Sequence, residues 1–459
     1  MQRTRYDAWA VFTGSATVLE GGTVVQVYPG LCTSGAPCPG ATTNTALCLA
    51  VPADPTDPLA TNWTKDGAAG AFTGYANPVA SSAERDPSSA WRTPAGEWRL
   101  TTFGSAVYGS MDFRSWYIIG AQQGFPEDSE CPSFFKLPRR ARGSGPAPPG
   151  AATPTHVLKS SIGGKDWMAV GTYAAGAPRE LGNFSATPGV PAARARIDAG
   201  ALYASKDFYD PTRQRRINLG WAKVAYGPWS DGDSWESSAH TLPREVTWHA
   251  ELQQLVFAPL DPEQASLRGA VLGELSKPQL LPAGGAPLSL GLAPRRGNQS
   301  EVLLSFARPS SRVTLTLRVM ADGSGAGGTD FTIRYAPPAA GSNGSASSVE
   351  VASGSTTDTL RLSPTDTTLE LRVFVDNVFS EAYWQGGRVA MTVPSPPPAD
   401  GACGITVMAD AAGAQLLSAV AYEVKSIWVS ADEVLGTPRP DGGDVKTMLE
   451  RISAEQLTR

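Results

Sequence analysis

Two acidic residues are the candidates for chemistry. Asp86 lies in Glu84-Arg85-Asp86-Pro87-Ser88-Ser89-Ala90-Trp91, and Glu130 in Ser129-Glu130-Cys131-Pro132-Ser133-Phe134-Phe135. Proline with small and aromatic neighbours is what a chain needs where a strand ends at a rim and holds one side chain rigidly. A carboxyl held that way can move a proton. Each also has a plainer explanation when taken singly: Asp-Pro starts turns, and Glu130 would be a surface residue.

Other chemistries lack their residues. The three histidines, His156, His240 and His249, sit in no His-Glu-x-x-His or triad-like context, so metal-assisted and serine-hydrolase mechanisms have no positioned imidazole. Cys32, Cys38 and Cys48 cluster, Cys131 and Cys403 stand apart, and no pair has the C-x-x-C spacing of zinc or thioredoxin-like sites. One disulfide within the first cluster would leave an odd thiol. Gly323, Gly325 and Gly328 satisfy G-x-G-x-x-G, but a strand-like stretch, Thr329 to Tyr335, follows where a phosphate-binding helix would have to begin. That segment reads as a hairpin loop.

The elements that must position the two carboxyls read as short strands. The chain has 459 residues, with 48 glycines and 38 prolines, while only 18% of residues are charged. Such punctuation excludes long helical bundles and predicts many turns. Arg312 to Val319 alternates strictly, with Val313, Leu315, Leu317 and Val319 on one face, and Leu369 to Val375 repeats the pattern. Ala16 to Tyr28 reads as a hairpin turning at Gly21-Gly22. Trp98–Tyr108, Trp167–Tyr173 and Arg216–Trp221 are further strands. Arg139 to Thr155 reads as an exposed loop and Pro394 to Pro398 as a stiff one. Leu280 to Pro287 is the expected boundary between two β domains, and Asp444 is a plausible cap for a short amphipathic helix in the tail.

A net charge of −5 gives no basic field for nucleic acid. No apolar run approaches the roughly 18 residues of a membrane span, and the first residues do not form a signal peptide. Sequons at Asn62, Asn183, Asn298 and Asn343 and the clustered cysteines tilt the compartment toward the secretory route.

Taken together, the acidic segments resemble a known family. Arg85-Asp86-Pro87 and Glu130-Cys131-Pro132 resemble the R-D-P and E-C-P boxes of glycoside hydrolase family 32, the invertases and fructan hydrolases. Phe12 to Thr17 resembles the [WF]-[ST]-G-S-A-T box. Leu202 to Pro211 with Arg215 to Ala222 resembles the plant-type Y-A-S-K-T-F-Y-D…R-R-I…G-W segment, and Leu371 to Asp376 with Glu381 and Gln385 to Arg388 resembles V-F-V-D…E…Q-G-G-R. The resemblance implies an all-β chain: a five-bladed β-propeller, its first blade incomplete, over residues 1–279, a linker over 280–287, a β-sandwich over 288–435 and a tail over 436–459. It implies a retaining attack on β-fructofuranosides, sucrose or fructans, without cofactor or metal. Glu130 would be the general acid/base, its pKa raised by neighbouring carboxylates, and Asp86 the transition-state stabiliser. Arg85 would hold the carboxylates, Phe12 and Thr13 would line the fructosyl subsite, and the compartment would be cell wall, vacuole or exterior.

Two departures matter. The family's nucleophile is the Asp of an N-D-P-N-G box upstream of the G-S-A-T box; that pentapeptide occurs nowhere in this sequence, and Asp7 and Asp210 do not match its context. The chain is therefore expected to be inactive by itself, either as part of an active enzyme's sequence, the favoured reading, or as a truncated binding or regulatory product. Second, Asp198 keeps the acidic member of the Asp-x-x-Lys couple that holds the glucose half of sucrose in plant invertases, but Ala201 replaces the lysine. Asp198 is expected to bind substrate without its orienting cation, which makes fructan hydrolysis or fructosyl transfer more credible, unless it simply caps a loop.

Overall fold

The computed structural model describes residues 5–426 apart from positions 39, 58–59, 82, 139–140, 143–144, 152, 188–194, 211–212, 225–238, 262 and 339–345. The expected tail helix, Pro211 and the Asn343 sequon lie outside the described residues, as does part of the Arg139–Thr155 loop.

Four small, mainly antiparallel sheets follow one another along the first 259 residues. Ala10–Val11 and Ser15–Val18 pair with Val24–Leu31, which continues to Thr45–Pro52 and Trp63–Thr64. The second sheet is Trp91–Arg92, Trp98–Thr101, Ala106–Ser110 and Tyr117–Ala121. Glu130–Lys136, His156–Ile162, Lys165–Ala174 and Asn183–Ala186 form the third. Leu202–Asp210, Arg215–Ala222, Arg244–His249 and Gln254–Pro259 form the fourth. These are meandering blades of the expected propeller, and four are described, each with at least four strands.

The predicted hairpin at Gly21-Gly22 is present, both glycines taking positive φ (83° and 82°) that other residues resist. Trp98–Tyr108 is not one strand. A turn at Phe103–Ser105 divides it, with Gly104 and Ser105 both at positive φ, and the turn sets Phe103 where the site needs it.

Two stacked sheets complete the chain. One runs Arg268–Leu275, Gln415–Val424, Gln299–Ala307, Thr368–Asp376, Phe379–Trp384, Val389–Pro394; the other runs Leu288–Ser289, Gly404–Ala409, Val313–Ala321, Thr329–Tyr335, Ser347–Ser353, Thr356–Leu362. Val313, Leu315, Leu317 and Val319 are buried in one cluster with Leu369, Leu371, Val373 and Val375 from the opposite sheet, as the alternation predicts. The glycine-rich 323–328 segment joins two paired strands, so it is the predicted hairpin loop.

The expected boundary at 280–287 is corrected. Arg268–Leu275 already pairs with Gln415–Val424 of the sandwich, and Leu281 belongs to its core. The strand gave no period-2 signal because register shifts at Arg268/Val271 and Val271/Gly273 break its alternation.

Candidate active site

The site is assembled from the lead-in or first residues of the first strand of successive sheets. Arg85 and Asp86 precede the second sheet, Glu130 opens the first strand of the third, and Tyr203 lies at the start of the fourth. Arg85 donates from Nη2 to Glu130 Oε1 at 2.5 Å, and its Nε lies 3.6 Å from Asp86 Oδ2. The Tyr203 hydroxyl donates to the other carboxylate oxygen of Glu130. Asp86 Oδ2 accepts the Cys131 N–H at 3.2 Å. The structure thus unites Arg85, Asp86 and Glu130, although 45 positions separate Arg85 from Glu130.

Local backbone explains the proline boxes. Asp86 and Cys131 both have positive φ, 62° and 43°, and both precede proline. Proline disfavours the helical region in its predecessor, and a side chain at positive φ is strained by on the order of 1 kcal/mol. The reward at Cys131 is an N–H turned toward Asp86. Asp86 is only 5% exposed, whereas the side chains of Arg85 and Glu130 are each 34% exposed. Arg85 lies over the Phe103 ring, 4.0 Å from its centroid, and Phe103 N–H donates to Arg85 O; the break in the Trp98–Tyr108 segment supplies this platform.

Phe12 and Thr13 are exposed on the turn before Ser15–Val18. That turn meets the site through Ser15, whose hydroxyl donates to Pro87 O at 2.7 Å; Lys206 Nζ donates to the same carbonyl at 3.1 Å. Three sheets therefore converge on the residue beside Asp86.

Glu130 departs from expectation in its charge. The Tyr203 hydroxyl, and then the Arg85 guanidinium, hold its carboxyl below the usual glutamate range against an opposing contribution from burial. The expected rise required neighbouring carboxylates; the groups that reach its oxygens here are donors.

Asp198 is corrected as a substrate binder, and the alternative holds: it caps the loop at the Gly200 N–H. It is 2% exposed and lies at the seam with the sandwich. Its Oδ2 receives Arg244 Nη1 and Thr392 Oγ1, each at 2.8 Å, and its Oδ1 receives the N–H groups of Gly200 at 2.6 Å and Thr392 at 2.9 Å. No face is left for a sugar. A distant arginine supplies the cation that Ala201 lacks, which the local spacing could not reveal.

The glycosyl hydrolases family 32 N-terminal domain matches residues 1–259. The chain belongs to glycosyl hydrolases family 32. It is 33% identical over 301 residues to the beta-fructofuranosidase, cell wall isozyme, of Zea mays, covering 59% of this chain and 47% of that protein. It is 27% identical over 445 residues to acid beta-fructofuranosidase 2, vacuolar, of a Rosa hybrid cultivar, covering 84% and 65%. The chain spans about half the length of the curated relatives it matches. Fructan 1-exohydrolase IIa from Cichorium intybus superimposes with a TM-score of 0.74 at 22% identity, over 93% of this chain and 86% of that one, which gives the family 32 fold of propeller and sandwich.

Sequence reasoning missed Tyr203 as a site residue although it heads a quoted family segment. It also missed Lys159, which stands beside Val157 and Leu158 in the buried strand His156–Ile162.

Proposed function

We propose that this family 32 chain carries the acid/base half of a fructosyl hydrolase site for sucrose or fructans. The carrying observation is the grip of Arg85 and Tyr203 on Glu130 beside a buried, backbone-bound Asp86. Arg85 and Tyr203 can keep Glu130 oriented toward a leaving oxygen, to which it would deliver a proton; water would later return one to it. Asp86, fixed by the Cys131 N–H, would accept hydrogen bonds from fructosyl hydroxyls as positive charge develops on the ring. Exposed Phe12 and Thr13 would line that subsite. The covalent step needs a second carboxylate, and the N-D-P-N-G box that would supply it is not in these 459 residues. By themselves they bind fructosides and do not turn them over. The names of the relatives support a cell-wall or vacuolar route, and Asn62 and Asn183 are exposed enough to carry glycans.

The two donors on the oxygens of Glu130, which hold its carboxyl below the usual range, favour a second reading, a fructoside-binding protein. One experiment separates them. The 459-residue chain is titrated with sucrose and with inulin, then extended by a segment bearing N-D-P-N-G. Binding without turnover, turnover on extension, and a loss of about 10²–10⁴-fold on Glu130→Gln support the hydrolase. Binding with no turnover after extension supports the second reading. Ordinary turnover by the 459 residues alone overturns the nucleophile assignment.

A further inference from the structure

Below the site lies a buried ion pair that touches no candidate substrate-binding group. Lys159 and Asp166 are each 0% exposed in their side chains and meet at 3.0 Å. Lys159 Nζ donates to Cys131 O at 3.1 Å, to Ser161 Oγ at 2.6 Å and to Ser205 O at 2.7 Å. Asp166 Oδ1 accepts the Ala204 N–H at 3.0 Å, and its Oδ2 accepts that of Ser205 at 2.7 Å. Every partner belongs to the third sheet or to the irregular step after Tyr203 in Leu202–Asp210.

The position of those partners gives the pair its meaning. Cys131 follows Glu130 and has φ 43°; Ala204 follows Tyr203 and has φ 50°. Both are non-glycine residues at positive φ, and the strand pairing is irregular at both, between Glu130 and Ser133 and between Tyr203 and Lys206. Left alone, each step would relax toward an ordinary extended strand. Such a relaxation would re-aim the side chain just before it, Glu130 in one strand and Tyr203 in the other. One ammonium holds the first step by its carbonyl. The same ammonium and its carboxylate hold the second by a carbonyl and two N–H groups.

We infer that the Lys159–Asp166 pair is a positioning device that sets the Tyr203–Glu130 hydrogen bond, and through it the protonation of the acid/base carboxyl. This rests on the reading of Glu130 as the acid/base group, but its test does not need turnover. A buried ion pair seldom adds net stability over a well-packed apolar replacement. Here it secures two strained steps to a common point, which an apolar pair could not do because it has no polar atoms to offer them.

The test follows the Glu130 carboxyl in the full chain by carbon-13 NMR of glutamate-labelled protein, the signal identified by its loss in Glu130→Gln. Tyr203→Phe removes the hydrogen bond directly and should raise the Glu130 midpoint by about one pH unit, a tenfold change in the ionisation constant. Lys159→Met should raise it by a similar amount. In the Tyr203→Phe background Lys159→Met should keep only the smaller part owed to the ammonium's own charge, which also lowers the Glu130 carboxyl directly, and lose the part that acts through the tyrosine. Ala204→Gly tolerates positive φ without strain, and placed in Lys159→Met it should return part of the shift. If Lys159→Met does not fold, Ser161→Ala, which removes one acceptor from the ammonium, should give a smaller shift of the same sign that also vanishes in Tyr203→Phe. An unchanged Glu130 midpoint in a folded but less stable Lys159→Met or Ser161→Ala protein would make the pair structural only. Full additivity with Tyr203→Phe would make it a direct charge effect, and either outcome overturns the proposal. Failure of the acid/base reading would show separately, as Glu130→Gln leaving turnover intact in the extended protein.

Discussion

The propeller sheets and the sandwich are both mainly antiparallel β-structure, but different forces hold them. The sandwich buries most of its apolar residues in one cluster reaching through both of its sheets, with smaller clusters where it meets the propeller. The propeller divides its apolar residues among several clusters and secures the seams between sheets with buried charge. Arg99 and Glu97 are both fully buried, and Arg99 reaches across to the carbonyls of Ala177 and Glu180 in the loop between Lys165–Ala174 and Asn183–Ala186 of the third sheet. Lys159 and Asp166 tie the third sheet to the fourth, and Arg244 ties the fourth to the sandwich. A sandwich must chiefly exclude water between two faces; its buried Glu301, gripped by Arg268 and Arg372, lies on the strand face opposite the apolar cluster. A propeller must bring separate strand starts to one place at hydrogen-bonding precision, and directional contacts between blades do that where non-directional burial does not.

The largest effect should come from breaking the seam. Arg244 is fully buried and bonded to Asp198, to Glu381 at 2.7 Å and to Thr392 at 3.0 Å. Arg244→Met leaves two buried carboxylates without their cation, which should cost about 3–5 kcal/mol. Urea unfolding should then separate into two transitions as sandwich and propeller uncouple. A single transition at the original midpoint would show that the apolar part of the interface holds the domains together.

A cavity in the sandwich core should cost somewhat less and leave the coupling intact. Leu317 is 1% exposed, and Leu317→Ala should lower stability by about 3 kcal/mol, with the Glu130 site unaffected. Loss of fructoside binding in that variant would mean that the two regions communicate through packing as well as charge.

The same contrast decides what the sequence makes legible. Period-2 alternation reports burial on one face, so Val313–Ala321 and Thr368–Asp376 could be read to within a residue or two. Even there Phe374, which alternates with Leu369, Leu371, Val373 and Val375 and so falls on the opposite face, is buried at 7%, edge-on to Tyr383 and covered by Arg372. Asp86 and Glu130 were legible because proline boxes mark them. Tyr203 was less so, because its role depends on a hydrogen bond spanning 73 positions. Asp198 was misread for the same reason: its cation stands 46 positions away and another partner, Thr392, 194 away. Local spacing carries no record of such pairings. The early start of the sandwich was hidden by the bulges in Arg268–Leu275.

Acid should divide the two regions further. All three histidines precede residue 260, so the sandwich strands Gln299–Ala307 to Gln415–Val424 contain none. Burial pushes the His156 imidazole down to about 4, and burial, with Arg388 next, lowers His249. An imidazole depressed in the folded state is neutral there while the unfolded chain takes up a proton. Stability is therefore full above the unfolded value near 6.5 and is lost as pH falls from there toward about 4. The loss from His156 should reach about 1–3 kcal/mol. His156→Gln should flatten this slope in unfolding measured between pH 7.5 and 4.5, and an unchanged slope would place the acid sensitivity elsewhere.

The smallest effect should come from an ion pair of the opposite kind. Arg334 and Glu350 face each other across Thr329–Tyr335 and Ser347–Ser353, in the outer part of a sandwich sheet. Their side chains are 57% and 46% exposed, against 0% for both members of the Lys159–Asp166 pair. Water and salt screen the first pair, and holding two long side chains together costs entropy that offsets most of the attraction. Arg334→Gln should change stability by less than about 1 kcal/mol, and what change there is should shrink further in added salt. Burial, and the number of backbone groups each charge must also satisfy, separates the two cases. A salt-insensitive loss of several kcal/mol from Arg334→Gln would show that this sheet too depends on directional contacts, and the contrast between the two regions would have to be abandoned.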